Sequence, residues 1–380
     1  MVELDVLTCE YPPDIGGVSD YTARLSCELS QLGFRVHIWA PGNSSPQLCE
    51  LTSISVNRIF GTFRPSDLMR VGRIWDREAR KRRIILQWVP TGYGLRSVNI
   101  FFCLWLASRV FKGDRLQIMF HETCFAFREP GWKLKTAAFV QRLMALILVN
   151  AADKAFASTE FTRRQLTWFC FRSKSIECSP VPANVEPALV AVPEVQSIRR
   201  QACFRRLGHF GLFNPNVSRL LLPTIEYLLS LNSSVEIVFI GKCGVEYLAN
   251  LPGRVQGRIR STGVCSKQEA SRAIAECDLM FQPYPEGIST RRTTAMAALS
   301  HGKLLVSTMG PFTDQIWLHS RSVKLFTNSE PKFMAEELDK ILDTDPESLD
   351  VATEAKDFYV RNFSMPRTVE RYCAELPLHP

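Results

Sequence analysis

The chain has 380 residues and a mass of 43.1 kDa; 46% of its residues are hydrophobic and 22% charged, and 46 Lys and Arg against 38 Asp and Glu leave a formal charge of +8. That length predicts two domains, the apolar share excludes wholesale disorder and low complexity, and no self-similar period marks a solenoid. The twelve cysteines form no C-x-x-C pair and have no histidine cluster beside them, which argues against structural zinc and a disulfide framework and fits reduced thiols in a cytoplasm.

In chain order, Met1-Val-Glu-Leu-Asp-Val reads directly as a strand, with neither the basic region nor the small-residue cleavage site of a secretory signal, so no export is expected. Leu4 to Thr8 is a short apolar strand, Ser19 to Leu32 a helix closed by Gly33, and Phe34 to Ala40 the next strand: one βαβ unit of a parallel sheet. The densest basic run, Arg77, Arg80, Lys81, Arg82 and Arg83, suits either phosphates and an anionic membrane surface or a solvated helix face. No aromatic residues interleave with it, so nucleic acid is not expected. Strands follow at Arg83 to Val89 and Leu116 to Phe120, helices at Ser97 to Val110, Lys133 to Asn150 and Thr162 to Phe169. The longest uncharged apolar stretches, Val98 to Ser108 and Leu143 to Ala152, are too short to cross a bilayer.

Prolines 180, 182, 187 and 193 crowd one aperiodic stretch, predicted to be an interdomain linker. The alternation then restarts: strand Leu207 to Phe213, helix Ser218 to Leu231, strand Val235 to Ile240, helix Lys267 to Glu276, strand Leu279 to Pro283, helix Ser289 to Ser300, strand Leu304 to Ser307, and helices Phe333 to Leu342 and Glu354 to Arg361. The predicted organisation is α/β throughout, with two doubly wound domains: residues 1–180, a linker 181–204, residues 205–357, and a last segment 358–380. Sheets of this kind bind ligands beyond the carboxyl ends of their strands.

Three motifs occupy such places. Glu10-Tyr-Pro-Pro-Asp-Ile-Gly-Gly-Val-Ser fills the first βα loop: Gly16 and Gly17 allow amides to approach a ligand, and Ser19 is expected to cap a helix whose positive end attracts anions. The loop is neither a G-x-G-x-x-G nor a Walker A sequence, so nicotinamide, flavin and P-loop chemistry are not expected. His121, followed by Glu122, ends the strand Leu116 to Phe120, where an imidazole either meets a substrate hydroxyl or is satisfied within the fold. The segment Phe281 to Gly302 takes a Pro-rich turn through Glu286 and Gly287 into a helix expected near Ser289. Arg291 and Arg292 in its first turn oppose the helix dipole, a conflict that a bound phosphate resolves. Arg292 is the one expected to pair with a surface carboxylate, Arg291 the one to meet the anion.

Taken together, the Tyr-Pro-Pro-x-Ile-Gly-Gly-Val opening, the histidine after a mid-domain strand and the Pro-Glu-Gly turn before a helix ending in His-Gly resemble glycosyltransferase family four, the retaining group 1 glycosyltransferases. The resemblance runs through the chain in motif order, including the Tyr359 to Tyr372 segment, which in that family crosses back onto the N-terminal domain. It implies the GT-B fold, two Rossmann-like domains facing each other across a cleft, and sugar transfer from a nucleoside-diphosphate donor to an acceptor hydroxyl in polysaccharide or glycoconjugate synthesis. Carried over by position, it implies Glu286 and His121 as catalytic residues, and Gly16, Gly17, Gly287, Ile288, Ser289, Arg291 and Thr294 as donor-binding. Asp20, Trp88 and Glu122 fall on the acceptor side, with further acceptor contacts expected from the loops Trp88 to Gly94 and Glu122 to Trp132. It implies no cofactor and no metal, so Asp343-Thr-Asp345 is an ordinary polar helix end. The sequence departs from the family at Gly211-Leu212 and Val217, where the Arg and Lys that meet the diphosphate usually stand, and at Thr294, where a second glutamate is usual. Two alternatives follow: a non-catalytic binding or scaffolding protein with a degraded donor site, and a nucleotide-sugar epimerase. The +6 excess of residues 1–194, from 24 basic and 18 acidic side chains, with Phe101, Phe102 and Trp105, also suggests peripheral contact with a membrane bearing a lipid-linked acceptor.

Overall fold

The structure, a computed structural model, describes residues 2–42, 47–49, 53–78, 80–124, 131–171, 174–187, 205–211, 213–242, 253–344 and 349–374. The chain divides into two compact units, the first made of Met1–Val181 and Met365–Pro380, the second of Pro182–Ser364. The last segment therefore rejoins the first unit at Met365, and the helix Leu349–Phe363 before it belongs wholly to the second.

The first unit is built on β1 (Glu3–Leu7), β2 (Arg35–Ala40), β3 (Gln47–Cys49), β4 (Ile54–Arg58), β5 (Arg83–Trp88), β6 (Arg115–Phe120), β7 (Lys154–Ala157) and β8 (Ile176–Cys178). They form one sheet in the order β3-β4-β2-β1-β5-β6-β7-β8, parallel except where β3 pairs antiparallel with β4. Its helices include α1 (Gly17–Gln31), α2 (Pro65–Arg77), α3 (Ile100–Phe111), α4 (Trp132–Ala151) and α5 (Glu160–Phe169). Side chains alternate across a strand, and the cores follow that alternation. Leu7, Leu86, Ile118 and Ala155 pack with α2, α3, α4 and α5 on one face. Val6, Ile85, Met119 and Phe156 pack with α1 and the helix Met365–Cys373 on the other.

The basic run is part of this framework. Arg82 is fully buried and pairs with the buried Asp5 at 2.6 Å, its guanidinium 4.5 Å over the ring of Trp75. Arg80 closes on the same carboxylate at 2.8 and 2.9 Å. Phe102 and Trp105 pack into the aromatic core rather than onto the surface. The expected phosphate- or membrane-binding strip thus loses its principal members, because two of its arginines neutralise a carboxylate that would otherwise be stranded in the core.

The second unit is a parallel sheet in the order β11-β10-β9-β12-β13-β14, from β9 (Arg205–Phe210), β10 (Val235–Ile240), β11 (Ile259–Ser261), β12 (Leu279–Gln282), β13 (Leu304–Thr308) and β14 (Val323–Phe326). The helices Pro215–Leu231, Lys267–Glu276, Thr293–Ser300 and Pro331–Asp343 pack on it. The strand order reverses beside β9, which lies between β10 and β12 and so opens a crevice at their carboxyl ends. Val181, Ala183 and Val185, inside the segment expected to be a linker, are buried in the unit cores, so its opening residues are packed rather than solvated; Pro193 and the rest of 188–204 lie outside the described residues.

Candidate functional site

The expected site residues fall in both units. In the first, α1 starts one residue after Gly16, which serves as its N-cap with extended backbone. Its leading amides are already occupied: Val18 and Ser19 N–H both donate to Glu10 Oε1 at 2.9 Å. Ser19 is therefore not the cap, and its hydroxyl donates instead to the Asp14 carbonyl at 2.7 Å. A Cβ at 16 would come within 2.1 Å of the Glu10 carboxylate and so displace that cap, whereas a Cβ on Gly17 would enter open space. Asp20 sits in the first turn of α1, where an acidic residue complements the helix dipole.

His121 is buried at the end of β6, with Nε2 2.9 Å from Gln87 Oε1 and its ring edge-on to Tyr21 at 4.9 Å. An amide oxygen only accepts, so this contact assigns the proton to Nε2. Glu122 is exposed beside it. Trp88 is not available to an acceptor: it is fully buried and stacks on Tyr93 at 5.3 Å, and Tyr93 in turn is held by its hydroxyl to the Gln87 carbonyl. The aromatics of the Trp88 to Gly94 loop are core, and residues 125–130 of the second expected acceptor loop lie outside the described residues.

In the second unit a cavity of about 440 Å³ opens at the crevice beside β9. Three cations line it, Lys242 after β10 and Arg291 and Arg292 after β12, and among the described residues no carboxylate does. Gly211 and Gly241 line its rim at φ +143° and +112°; a Cβ on Gly241 would press to 2.9 Å from the Gly211 carbonyl. The family's missing cations stay missing, since Val217 is buried and its N–H is capped by Asn214 Oδ1 at 3.0 Å; Leu212 lies outside the described residues. Lys242 stands on the neighbouring strand end, a position that sequence reasoning passed over although the rule of looking just after strands applies to it.

Around these cations the polar groups hold one another. The Arg292 guanidinium lies 4.4 Å over the Tyr284 ring, and the Tyr284 hydroxyl meets Thr294 Oγ1 at 3.0 Å. Among the described residues Arg292 forms no ion pair, so the expected pairing with a surface carboxylate is replaced by stacking, and its Nε is buried without a hydrogen bond. His209, another residue that sequence reasoning missed, also lines the cavity. Its Nδ1 is 2.9 Å from the Phe281 carbonyl, which accepts only, so Nδ1 carries the proton; burial pushes the imidazole pKa down to about 4 and keeps it neutral.

The helix after β12 begins at Thr293, four residues later than expected, with Arg292 as its flanking residue. The cause is Asp314: its Oδ2 accepts from the Thr290 amide at 2.6 Å and from the Thr290 hydroxyl at 2.9 Å, which holds residues before 293 in a turn. Ile288 is wholly buried in the core, so its side chain is not donor-binding. Ser289 is buried and its carbonyl accepts from Arg292 N–H. Gly287 adopts φ +89° against the 310–313 loop, where a Cβ would meet Thr313 Oγ1 at 2.3 Å. Glu286 is exposed and lines a smaller cavity of about 210 Å³ that shares Asn214, Val217 and Arg292 with the larger one. Asp343 ends a helix as expected, and Asp345 lies outside the described residues. The first unit's own cavity, about 260 Å³, opens at the amino ends of β1, β5 and β6, with Arg115 and Asp153 already paired across it at 2.7 Å. Sheets of this type place ligands at the other end.

Residues 15–185, which lie mostly within the first unit, match the model of Glycosyltransferase Family 4. No curated protein sequence matches the chain. Solved structures similar to it include the sucrose-phosphate synthase of Thermosynechococcus elongatus (9% identity, TM-score 0.70, 98% of each chain covered). Anabaena HepE in complex with UDP and glucose is similar as well (13%, 0.65, 98% of this chain and 99% of that one). So is the α,α-trehalose 6-phosphate synthase of Burkholderia multivorans (12%, 0.68, 98% of each). The fold is GT-B.

Proposed function

We propose that the chain is a retaining glycosyltransferase that moves a sugar from a nucleoside-diphosphate donor onto an acceptor hydroxyl, in polysaccharide or glycoconjugate synthesis. The observation that carries this reading is the cavity beside β9, lined by Lys242, Arg291 and Arg292 and, among the described residues, by no carboxylate. Such a cavity stabilises the charge that develops on a leaving diphosphate, an electrostatic task that strengthens as bond cleavage proceeds. Three side-chain cations also take over what a divalent metal would do, so the proposed reaction needs none. Glu286, in the adjoining cavity that shares Arg292, is assigned to the donor sugar hydroxyls. The UDP held by the similar HepE structure agrees in ligand class with the cationic lining.

His121, Asp20 and Glu122 remain the acceptor- and sugar-side residues of this reading. No side chain is assigned as a covalent nucleophile. The second reading, a GT-B protein that binds without catalysis, is favoured by Glu10, whose carboxylate fills the α1 amides that would otherwise meet the donor. A thermal-shift screen of UDP, GDP and ADP sugars, followed by a product assay with the one that stabilises the fold, tests both. Stabilisation with turnover supports transfer, stabilisation without turnover or donor hydrolysis supports the second reading, and no stabilisation by any of them overturns the donor site.

A further inference from the structure

The helices α3, α4 and α5 lie side by side on one face of the first sheet. Each buries one side, α4 through Ala138, Met144, Ala145 and Leu148. The opposite sides carry large apolar residues. On α4, Trp132, Phe139 and Leu143 form an exposed stripe at helical spacing, with Trp132 at 73% exposure and Phe139 at 56%. Phe101 and Leu104 continue the stripe on α3, and Phe161 and Trp168, the latter 85% exposed, do so on α5. α4 is long and apolar enough to cross a bilayer by length and composition, against the expectation from shorter stretches, but its inner side is committed to the core.

The charge on this face is predominantly positive. α3 and α4 contain no acidic residue, and the one on α5, Glu160, is ion-paired with Arg163 and Arg164. Lys133 and Lys135 are exposed at the start of α4 and form no ion pair among the described residues. The Lys133 ammonium lies 5.9 Å from the Trp132 ring. Exposed aromatic side chains beside unpaired lysines on a helix with no acid are the composition of an interfacial helix, whose apolar side enters the headgroup boundary while its lysines meet lipid phosphates.

We propose that the outer face of α3, α4 and α5 is a peripheral docking surface for bilayers with anionic headgroups, with Trp132, Phe139 and Leu143 entering the interface and Lys133 and Lys135 selecting negative charge. This moves the membrane contact away from the Arg77 to Arg83 run, whose Arg80 and Arg82 serve the core. The surface stands independently of the donor cavity, so vesicle binding is measured without any sugar nucleotide.

The test sediments the full chain with vesicles of phosphatidylcholine alone and of phosphatidylcholine mixed with phosphatidylserine, at low and high salt. Pelleting is expected only with phosphatidylserine and only at low salt, with a blue shift of tryptophan emission. Lys133→Glu with Lys135→Glu should lower the bound-to-free ratio by at least about tenfold, since each basic residue alone contributes about fivefold. Trp132→Ser with Phe139→Ser should lower binding and shrink the blue shift, while circular dichroism and the urea midpoint of both variants stay at wild type. Absence of phosphatidylserine-dependent pelleting overturns the proposal, as does binding indifferent to both variants. A wild-type dimer that Trp132→Ser with Phe139→Ser converts to monomer also overturns it, by giving the face to a second copy of the chain.

Discussion

The guanidinium of Arg292 lies 4.4 Å above the ring of Tyr284, and the hydroxyl of the same tyrosine is 3.0 Å from Thr294 Oγ1. Burial pushes the Tyr284 phenol above its usual pKa, so the ring stays neutral and keeps the electron-rich face that a cation needs. The stack holds Arg292 where it lines both the cationic cavity and the smaller cavity of Glu286.

From this follows a prediction about ligand class. Arg292→Ala should weaken binding of a free nucleoside diphosphate by about tenfold or more while leaving the nucleoside within about twofold, since a charge-assisted bond to phosphate is lost and no contact to base or ribose is. Arg292→Lys should recover only part, because an ammonium neither stacks flat on Tyr284 nor bonds in a fork. Calorimetric titration of both ligands measures this; equal losses on the two would make Arg292 structural.

Glu286 gives a contrasting case. Its carboxylate is exposed and makes no hydrogen bond or ion pair among the described residues, while its backbone carbonyl accepts from Phe312 N–H at 2.9 Å. Removing the carboxylate therefore leaves the turn intact. Glu286→Ala should change stability by less than about 0.5 kcal/mol, yet lower turnover by about 100-fold if the carboxylate holds donor hydroxyls in the transition state. Turnover within a few-fold of wild type would remove Glu286 from the site.

Four strands of the second unit were legible as short apolar runs bounded by turn residues, and β10, Val235–Ile240, lies where its residues predict; β11, Ile259–Ser261, and β14, Val323–Phe326, were not predicted, the first being too short and polar to stand out. The α2 helix was legible but not recognised: Leu68, Val71 and Trp75 repeat at helical spacing under a polar surface. What no local pattern carries is the partner far along the chain. Asp314 sets where the helix after β12 begins, and Glu10 rather than Ser19 caps α1. The basic run is a sharper instance: its sequence is that of a solvated strip, and only Asp5, Trp39 and Trp75 show why Arg82 within it is buried.

That burial makes Arg82 a stability element. Arg82→Ala leaves the buried Asp5 with Arg80 and the Trp39 indole N–H and empties the space over Trp75. A loss of about 3 to 5 kcal/mol is expected, the range for breaking a buried ion pair by removing one partner. Urea denaturation gives the value. A cost below about 1 kcal/mol would mean that Arg80 and the Trp39 N–H suffice for Asp5.

The last prediction concerns acid. His209 is buried with its proton on Nδ1, and burial lowers its pKa to about 4; His301, whose Nδ1 is 2.7 Å from the Ala297 carbonyl, is lowered to about 4 by burial as well. In the unfolded chain a histidine titrates near 6.5. Below that pH the unfolded state binds protons that the folded state refuses, so the contribution to stability is present at pH 7 and lost as pH falls from about 6.5 toward 4. Between pH 7 and 5 the loss for His209 is roughly 2 kcal/mol. His209→Gln removes that titration, so its urea midpoint should fall less steeply than the wild type's over this interval, even if the variant starts lower at pH 7. Parallel slopes for the two proteins would show that the imidazole takes up its proton inside the fold, and that the cavity beside β9 gains a fourth cation in mild acid.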